Sequence, residues 1–410
     1  MSKVKFTELY KDLNTATARL EATKNSFEEH FGVKPTRFFS APGRTEVSGN
    51  HTDHNHGCVL AAAVDLDVLA AVVPSNEPII KVLSQGFPED IVDIADLSIN
   101  PADFGKSGAL IKGVCNDFLQ KGYKIGGFCA YTTSNVLKGS GLSSSAAFEV
   151  LIGTILNHLY NNGEISAVEI AKTAQYAENV YFGKPSGLMD QMASSVGGFI
   201  SIDFENPATP IINEMNFDIS ANGLSLCIVD TKGNHADLTP EYAAIPSEMK
   251  AVANTFGKSV LREVTKAQIL EKLPEIRANL GDRAALRALH FMDENERVLQ
   301  LCDYINNADI NGFLSVINAS GESSYQYLQN VYANIAPKEQ GVSMALYLAK
   351  MLLSGEGACR VHGGGFAGTI QAFVPNGKLE TFKNGMEAVF GKGSCYILNI
   401  RPVGGTEVLI

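Results

Sequence analysis

The feature that most narrows what this chain can become is the run Gly139-Ser140-Gly141-Leu142-Ser143-Ser144-Ser145-Ala146-Ala147. It follows a strand-like stretch at 126–136. It opens a helical one at 145–160, where Phe148, Leu151, Ile155, Leu156 and Leu159 recur on one face. A strand, a glycine turn and a helix in that order present the free N–H groups and positive dipole end of the helix, which together make an anion site. The glycines permit positive φ and close approach of backbone to a phosphate. The serine hydroxyls add donors and can offer an oxygen to Mg²⁺. No Lys-[Ser/Thr] pair follows, so this is not the P-loop of nucleotide hydrolases. The plainer alternative is a flexible turn with a serine N-cap. Three serines, Ala-Ala and a long amphipathic helix weigh against it.

Around this loop the chain reads as mixed α/β. Phe6, Leu9, Leu13 and Leu20 suggest a helix over 5–32, and the alternation of Val64, Leu66, Val68, Ala70 and Val72 suggests a strand within 58–73. A second helix is expected at 166–182, a strand at 195–203 after the Gly197-Gly198 turn, another strand from Leu224 to Val229, and long helices between 246 and 355. Residues 204–222 are polar and contain Pro207 and Pro210, which marks the junction between two domains, 1–215 and 216–410. Helices and strands mix in both halves, so each half is expected to be a two-layer α/β unit.

A net charge of −11 argues against nonspecific nucleic-acid binding and against an anionic membrane surface. It leaves room for an anionic ligand, because a nest of backbone N–H groups can hold one inside an acidic protein. Seven scattered cysteines without a C-x-x-C pair suggest reduced thiols. No apolar run approaches the ~18 residues needed to span a bilayer, and the N-terminus lacks a signal-peptide core. The expected address is the cytoplasm, and the expected state a monomer.

Three further segments carry chemistry. Residues 41–57 read Ala-Pro-Gly-Arg-Thr-Glu-Val-Ser-Gly-Asn-His-Thr-Asp-His-Asn-His-Gly. His51, Asp53, His54 and His56 could form a metal site. Alternatively, the Asp, Asn and His edges could bind a polyol, with Arg44 steadying a charge. In Pro185-Ser186-Gly187-Leu188-Met189-Asp190-Gln191 a carboxylate follows a turn near a helix start; alone, Asp190 would read as a first-turn acid. Four glycines between His362 and Gly368 suggest close backbone approach, or simply a hairpin.

In combination these residues resemble the galactokinase family of the GHMP kinase superfamily. The likeness runs through Phe27, Phe31-Gly32, Pro35 and Ala41-Pro42-Gly43-Arg44 to Gly49, His51-Thr52-Asp53 and Asn55. It continues through Gly139–Ala147, Gln175, Ala177-Glu178-Asn179, Gly187–Gln191 and Glu241-Tyr242. Arg287-Ala288, His290, Glu294–Val298 and Gly363–Gly368 complete it. The resemblance implies a two-domain α/β (α+β) fold, with a ribosomal S5-like N-terminal domain and a ferredoxin-like C-terminal domain. It implies ATP-dependent phosphorylation of the anomeric C1 hydroxyl of a sugar, foremost galactose. Asp190 would be the general base and Arg44 its cation. Ser145 and Glu178 would hold Mg²⁺. Gly139, Ser140, Gly141, Leu142, Ser143, Ser144 and Ser145 would hold the ATP phosphates. Arg44, Asn50, His51, Asp53, Gly187, Asp190 and Tyr242 would contact the sugar.

The chain departs from the family signature Arg-Val-Asn-Leu-Ile-Gly-Glu-His-Thr-Asp-Tyr-Asn-Gly-Gly. Thr45-Glu46 replaces Val-Asn, Ser48 replaces Ile, Asn50 replaces Glu, His54 replaces Tyr and His56 replaces Gly. Lys138, before the loop, and Pro246, after Tyr242, are further departures. In the family that Glu resembles a clamp on the C6 hydroxyl. Asn50 carries no charge, so a galacturonate-type substrate becomes an alternative. A sugar sensor without full catalytic competence is another, against which the intact Ser143–Ala147 stretch stands.

Overall fold

The computed structural model describes residues 3–136, 142–233, 238–366 and 368–410. Among these, thirteen strands form two sheets: β1 Lys3–Lys5, β2 Arg37–Ser48, β3 Cys58–Ser75, β4 Ile79–Ser84, β5 Glu89–Asp93, β6 Gly127–Ser134, β7 Phe199–Asp203, β8 Ile211–Met215, β9 Leu224–Asp230, β10 Ala358–His362, β11 Thr369–Pro375, β12 Cys395–Leu398 and β13 Thr406–Leu409. No helix among the described residues is long and apolar enough to cross a membrane.

The first sheet runs β1-β13-β2-β3-β6-β4-β5, with β7 and β8 added on the other part of β3. Strand β3 is long enough to serve two neighbours: Cys58–Ala62 pairs with β7, and Val68–Ser75 pairs with β6. Its period-2 alternation sorts side chains between faces. Val68, Ala70 and Val72 join the large core with the helices Ser107–Gln120, Ser144–Tyr160 and Ala167–Tyr176. Leu69 and Ala71 face Leu20 and Phe27 of the helix Leu13–Phe31.

That helix is shorter than the expected 5–32 stretch. Asp12 breaks it, because its carboxylate caps the Asn14 and Thr15 amides and starts a new helix at Leu13. At the other end Gly32 closes the helix in the left-handed conformation (φ 69°). The expected helix at 166–182 changes type instead: an α-helix to Tyr176 widens into a π-turn over Ala177–Phe182.

The second sheet runs β10-β11-β9-β12, all antiparallel. A strand, helices, a hairpin, the helix Leu379–Phe390 and a last strand follow in that order, which is the β-α-β-β-α-β ferredoxin-like topology. One face packs on the helices Gly341–Leu353 and Leu379–Phe390. On the other, Leu226, Ile228 and Phe373 join Phe313 and Ile317 in the same core as the first sheet, so the apolar interior is continuous between halves. The chain passes from one sheet to the other between Met215 and Leu224, and β13 returns to pair with β2. The polar stretch 204–222 contains β8, an edge strand that its composition hides.

Asp67 ties both chain ends to the first sheet. Fully buried, its carboxylate accepts from Arg19 Nη1 (2.5 Å), Tyr10 Oη (2.5 Å), Arg401 Nη1 (3.1 Å) and Ser40 Oγ. Burial alone would raise its pKa; Arg19 and Arg401 outweigh that and hold it below the usual aspartate range. Removing one partner of such a cluster strands buried charge. Asp67→Ala is therefore expected to destabilise the protein by about 3–5 kcal/mol, read as a fall in the urea midpoint. Asp282→Ala breaks the exposed pair with Arg277 and should leave the midpoint unchanged. Equal midpoints for the two variants would refute the role given to Asp67.

Candidate active site

The site is built where β2 meets the start of the helix Ser144–Tyr160. The pairing of β2 with β3 shifts register between Pro42 and Arg44. Gly43 makes the close approach possible, since a Cβ there would lie 3.0 Å from Leu142 O. Arg44 N donates to that same carbonyl at 3.1 Å. Ser143, the helix N-cap, sits in the left-handed region (φ 55°), an unfavourable state for a non-glycine residue that occurs most at functional sites. Beyond it the first N–H groups of the helix are free of intrahelical partners. Leu142, Ser143, Ser144 and Ser145 are thus placed. Gly139, Ser140 and Gly141, with Lys138, lie outside the described residues.

Asp190 lies in the first turn of the helix Met189–Val196. Arg44 Nε donates to its Oδ1 at 2.7 Å. Arg44 is nearly buried, while a quarter of the Asp190 side chain stays open to solvent. Burial would raise the Asp190 pKa; the Arg44 charge and hydrogen bond, a hydrogen bond from Ser143 and the charge of Lys184 together bring it below the usual range. Asp190 is therefore a carboxylate at neutral pH, held by one cation and open on one side.

Asp53 stands on a short turn beside the Pro185–Gly187 loop. A Cβ on Gly187 would fall 1.7 Å from Asp53 Oδ2, so only glycine fits. The loop itself is fixed from behind. Gln175 Nε2 donates to Ser186 O (3.1 Å), and Ser186 N donates to Asn179 Oδ1 (2.7 Å). On the phosphate side, Glu178 Oε1 accepts from Ser145 Oγ (2.9 Å) and Lys184 Nζ (2.7 Å), and Glu178 Oε2 accepts from Gln191 Nε2 (2.8 Å).

The remaining expected residues gather on the second glycine cluster instead. His51 donates from Nε2 to Gly364 O (3.1 Å); burial and the neighbouring His54 lower its pKa to about 3, so the ring is neutral. Tyr242 Oη donates to Gly365 O (3.0 Å), and its ring packs edge-on against Phe366. Asn50 differs most from its expected place. It is fully buried, and its amide is used up internally: Nδ2 donates to Glu46 Oε1 (2.9 Å) and Gly363 O (2.8 Å), while Oδ1 accepts from Asn330 Nδ2 (2.8 Å) and Ser324 Oγ (3.2 Å). An amide has two donors and two lone pairs, and all four are taken. No group on Asn50 is left for a ligand in this arrangement.

Among the described residues no three His, Cys, Asp or Glu side chains converge as a metal cage. His54 stacks on His51 rather than joining a ligand set with it. Sequence reasoning passed over Lys184 and Glu149. A lysine in a Gly-Lys-Pro turn looks like an ordinary solvated charge. Glu149 did leave a signal, a lone carboxylate in the run Ala-Ala-Phe-Glu-Val-Leu-Ile.

The depressed pKa of Asp190 has a sign that can be measured. The Arg44–Asp190 pair contributes stability that is fully present above the ordinary aspartate value and is lost as pH falls through the lower folded-state value. Asp190→Asn should flatten the acid limb of the stability profile below about pH 4 and leave its shape above that unchanged. Thermal midpoints across that range check this; identical acid limbs in both proteins would count against the pair.

Residues 25–74 match the galactokinase galactose-binding signature, and 109–198 match the N-terminal domain of GHMP kinases. The chain is 30% identical over 392 residues to a galactokinase of Streptomyces coelicolor, covering 94% of this chain and 97% of that one. It is 31% identical over 364 residues to a galactokinase of Actinobacillus pleuropneumoniae, covering 86% and 89%. The fold is similar to that of Lactococcus lactis galactokinase solved with galactose (TM-score 0.79, 24% identity, 95% and 99% covered). It is also similar to that of Methanococcus jannaschii mevalonate kinase (TM-score 0.63, 14% identity, 89% and 98% covered). With galactokinase relatives matched at this identity over nearly their whole length, the chain belongs to the galactokinase family of the GHMP kinases.

Proposed function

We propose that this protein transfers the γ-phosphoryl group of ATP to the anomeric C1 hydroxyl of galactose, giving galactose 1-phosphate and ADP. The observation that carries the proposal is the Arg44–Asp190 pair, set beside a serine-rich helix start on one side and the Asp53–Gly187 shelf on the other. An ionised, partly open carboxylate is what a general base for a sugar hydroxyl requires. The C1 hydroxyl gives its proton to Asp190. Its oxygen forms the new bond to phosphorus while the bond to the ADP oxygen breaks. Arg44 holds Asp190 ionised and faces the developing charge. The helix-start N–H groups and the hydroxyls of Ser143, Ser144 and Ser145 orient phosphate oxygens, and positioning and charge neutralisation do most of the catalysis in such transfers.

Ser145 and Glu178 fit a magnesium ion. Both offer an oxygen to one corner, which suits a hard cation that keeps waters and substrate phosphates as its other ligands, and Lys184 Nζ and Gln191 Nε2 donate to the same carboxylate. When bound, the ion would supply neutralisation of the phosphate charge. Asp53, Gly187, His51 and Tyr242 would shape the sugar side, the last two by fixing the Gly363–Gly365 backbone.

Galacturonate was the alternative suggested by Asn50 in place of a glutamate. The ground for it is weaker with the side chains in view. The Asn50 amide is spent on Glu46, Gly363, Asn330 and Ser324, and Glu46 is itself paired with Arg360, so no free donor waits here for a C6 carboxylate. A neutral C6 hydroxyl is the better match, and galactose is preferred. A sensor lacking turnover is disfavoured by the paired Arg44 and Asp190.

ADP release over a panel of hexoses and uronic acids tests the proposal. Galactose should give the highest kcat/KM and exceed galacturonate by a wide margin; the reverse order, or no sugar-dependent release, sinks it. Asp190→Asn should lower kcat by about 10²–10⁴-fold with ATP affinity retained by calorimetry, and wild-type turnover in that variant would remove Asp190 as the base. Gly187→Ala, which pushes on Asp53, should raise KM for galactose more than it lowers kcat.

A further inference from the structure

Below the helix start lies an acidic corner into which, among the described residues, Lys184 reaches as a cation. Lys184 follows Gly183, the left-handed residue (φ 80°) that closes the π-turn Ala177–Phe182. This wider turn folds the chain back on itself, so that Lys184 N donates to Glu178 O (3.1 Å) while Lys184 Nζ donates to Glu178 Oε1 (2.7 Å). Ser145 Oγ uses the same carboxylate oxygen. The Glu178 side chain is 2% exposed and that of Lys184 55%, so a cation anchored in solvent reaches inward to a buried carboxylate. Behind Glu178 is Glu149, fully buried on the helix Ser144–Tyr160. Gln191 Nε2 bridges the two acids, at 2.8 Å to Glu178 Oε2 and 3.4 Å to Glu149 Oε2. Glu149 Oε1 and Gln191 Oε1 have no hydrogen-bond partner among the described residues. A buried oxygen without a donor is costly, and here two lie in one corner. The corner therefore holds more acceptor capacity than its described donors fill, and the cation on Glu178 is Lys184. Burial works against the charged lysine, yet Glu178 more than offsets it and raises the Lys184 pKa.

We infer that Lys184 is a built-in stand-in for the divalent cation: its ammonium group occupies Glu178 in the resting protein and must leave before a metal can bind there. The inference deepens the kinase reading and rests on Ser145 and Glu178 being the metal corner. Its consequence is selective. A bare metal ion must compete with an ammonium group already in place, whereas a metal arriving on a nucleotide brings phosphate ligands of its own. The long, exposed lysine stem can swing outward without disturbing the backbone that Gly183 and Glu178 O fix. Lys184 is thus a residue that couples metal entry to nucleotide entry, and it keeps Glu178 from repelling the phosphates before the metal arrives.

The test measures metal binding and needs no turnover. Mn²⁺ binding to nucleotide-free protein at pH 8 is followed by electron paramagnetic resonance. Lys184→Met should bind Mn²⁺ about 10-fold more tightly than wild type, the scale of one close opposing charge removed. The double variant Lys184→Met with Glu178→Gln should lose that gain. In wild type, saturating Mn²⁺ alone should speed reductive methylation of Lys184 Nζ, read by mass spectrometry. Equal or weaker Mn²⁺ binding by Lys184→Met, or a methylation rate at Lys184 that Mn²⁺ leaves unchanged or slows, overturns the inference. Loss of galactose phosphorylation with the Mn²⁺ results intact would overturn the kinase reading alone.

Discussion

The arrangement of this molecule depends on a guanidinium from one half buried against a carboxylate from the other. Arg360 on β10 is fully buried, and its Nη2 donates to Glu46 Oε1 at 2.9 Å while Nη1 donates to Val47 O at 2.7 Å. Desolvating both charges offsets most of their attraction, so the pair adds little net stability as such. What it supplies is register. Only one placement of the second sheet against β2 satisfies both groups, and a shifted one leaves a charge stranded. Glu294 repeats the device from the helix Asp282–Asn306, accepting from Ser48 Oγ (2.8 Å), Gly49 N (3.0 Å) and Ser320 Oγ (2.6 Å). Burial opposes its charge, but His290, Arg360 and Arg297 hold its pKa far below the usual range. Because Arg44 lies on the same strand as Glu46 and Val47, fixing that strand fixes the cation that faces Asp190.

The site then has to solve an electrostatic problem. In a chain of net charge −11, the helix start proposed to hold the phosphates is lined by Asp190, Glu178 and Glu149. Left alone, these carboxylates would repel the nucleotide. Burial, followed by the charge of Glu178, pushes the Glu149 carboxyl well above the usual range. Arg44 cancels Asp190 and Lys184 cancels Glu178. Two of the three acids are thus paired before any ligand enters, and the positive helix end favours an anion beside them.

The parts legible in the sequence are those where local pattern and local chemistry coincide. The strand, loop and helix around Ser143, the alternating strand β3 and the long helices of the second half all showed their periods. The meeting of Arg44 with Asp190, 146 positions away, is invisible to any period and came only from resemblance to a family. Strand β8 was hidden because an edge strand alternates little and sits among polar residues. Lys184 was hidden because a surface lysine has no signature, and it takes the π-turn to bring it back onto Glu178. The expectation for Asn50 placed it against a ligand, because a motif gives order along the chain and not which hydrogen bonds a side chain has already made.

The Glu46–Asn50 pair shows what side-chain geometry adds to a motif. Read along the chain, the family's Asn and Glu are each replaced, and the second change looks like the loss of a charge. In the fold the two positions are hydrogen-bonded neighbours across the Gly49 turn, where φ is 95° and a Cβ would strike Cys58 O at 2.5 Å. Glutamate and asparagine have exchanged places, so the carboxylate has moved without leaving. In its new position it meets Arg360 from the second half, and the asparagine in turn holds Gly363 O, Asn330 and Ser324. One exchange thus keeps a carboxyl group in this corner and uses it to lock the second glycine cluster onto the strand that carries Arg44. Asn50, which read alone suggests a change of substrate, is with Glu46 a different way of closing this corner of the fold.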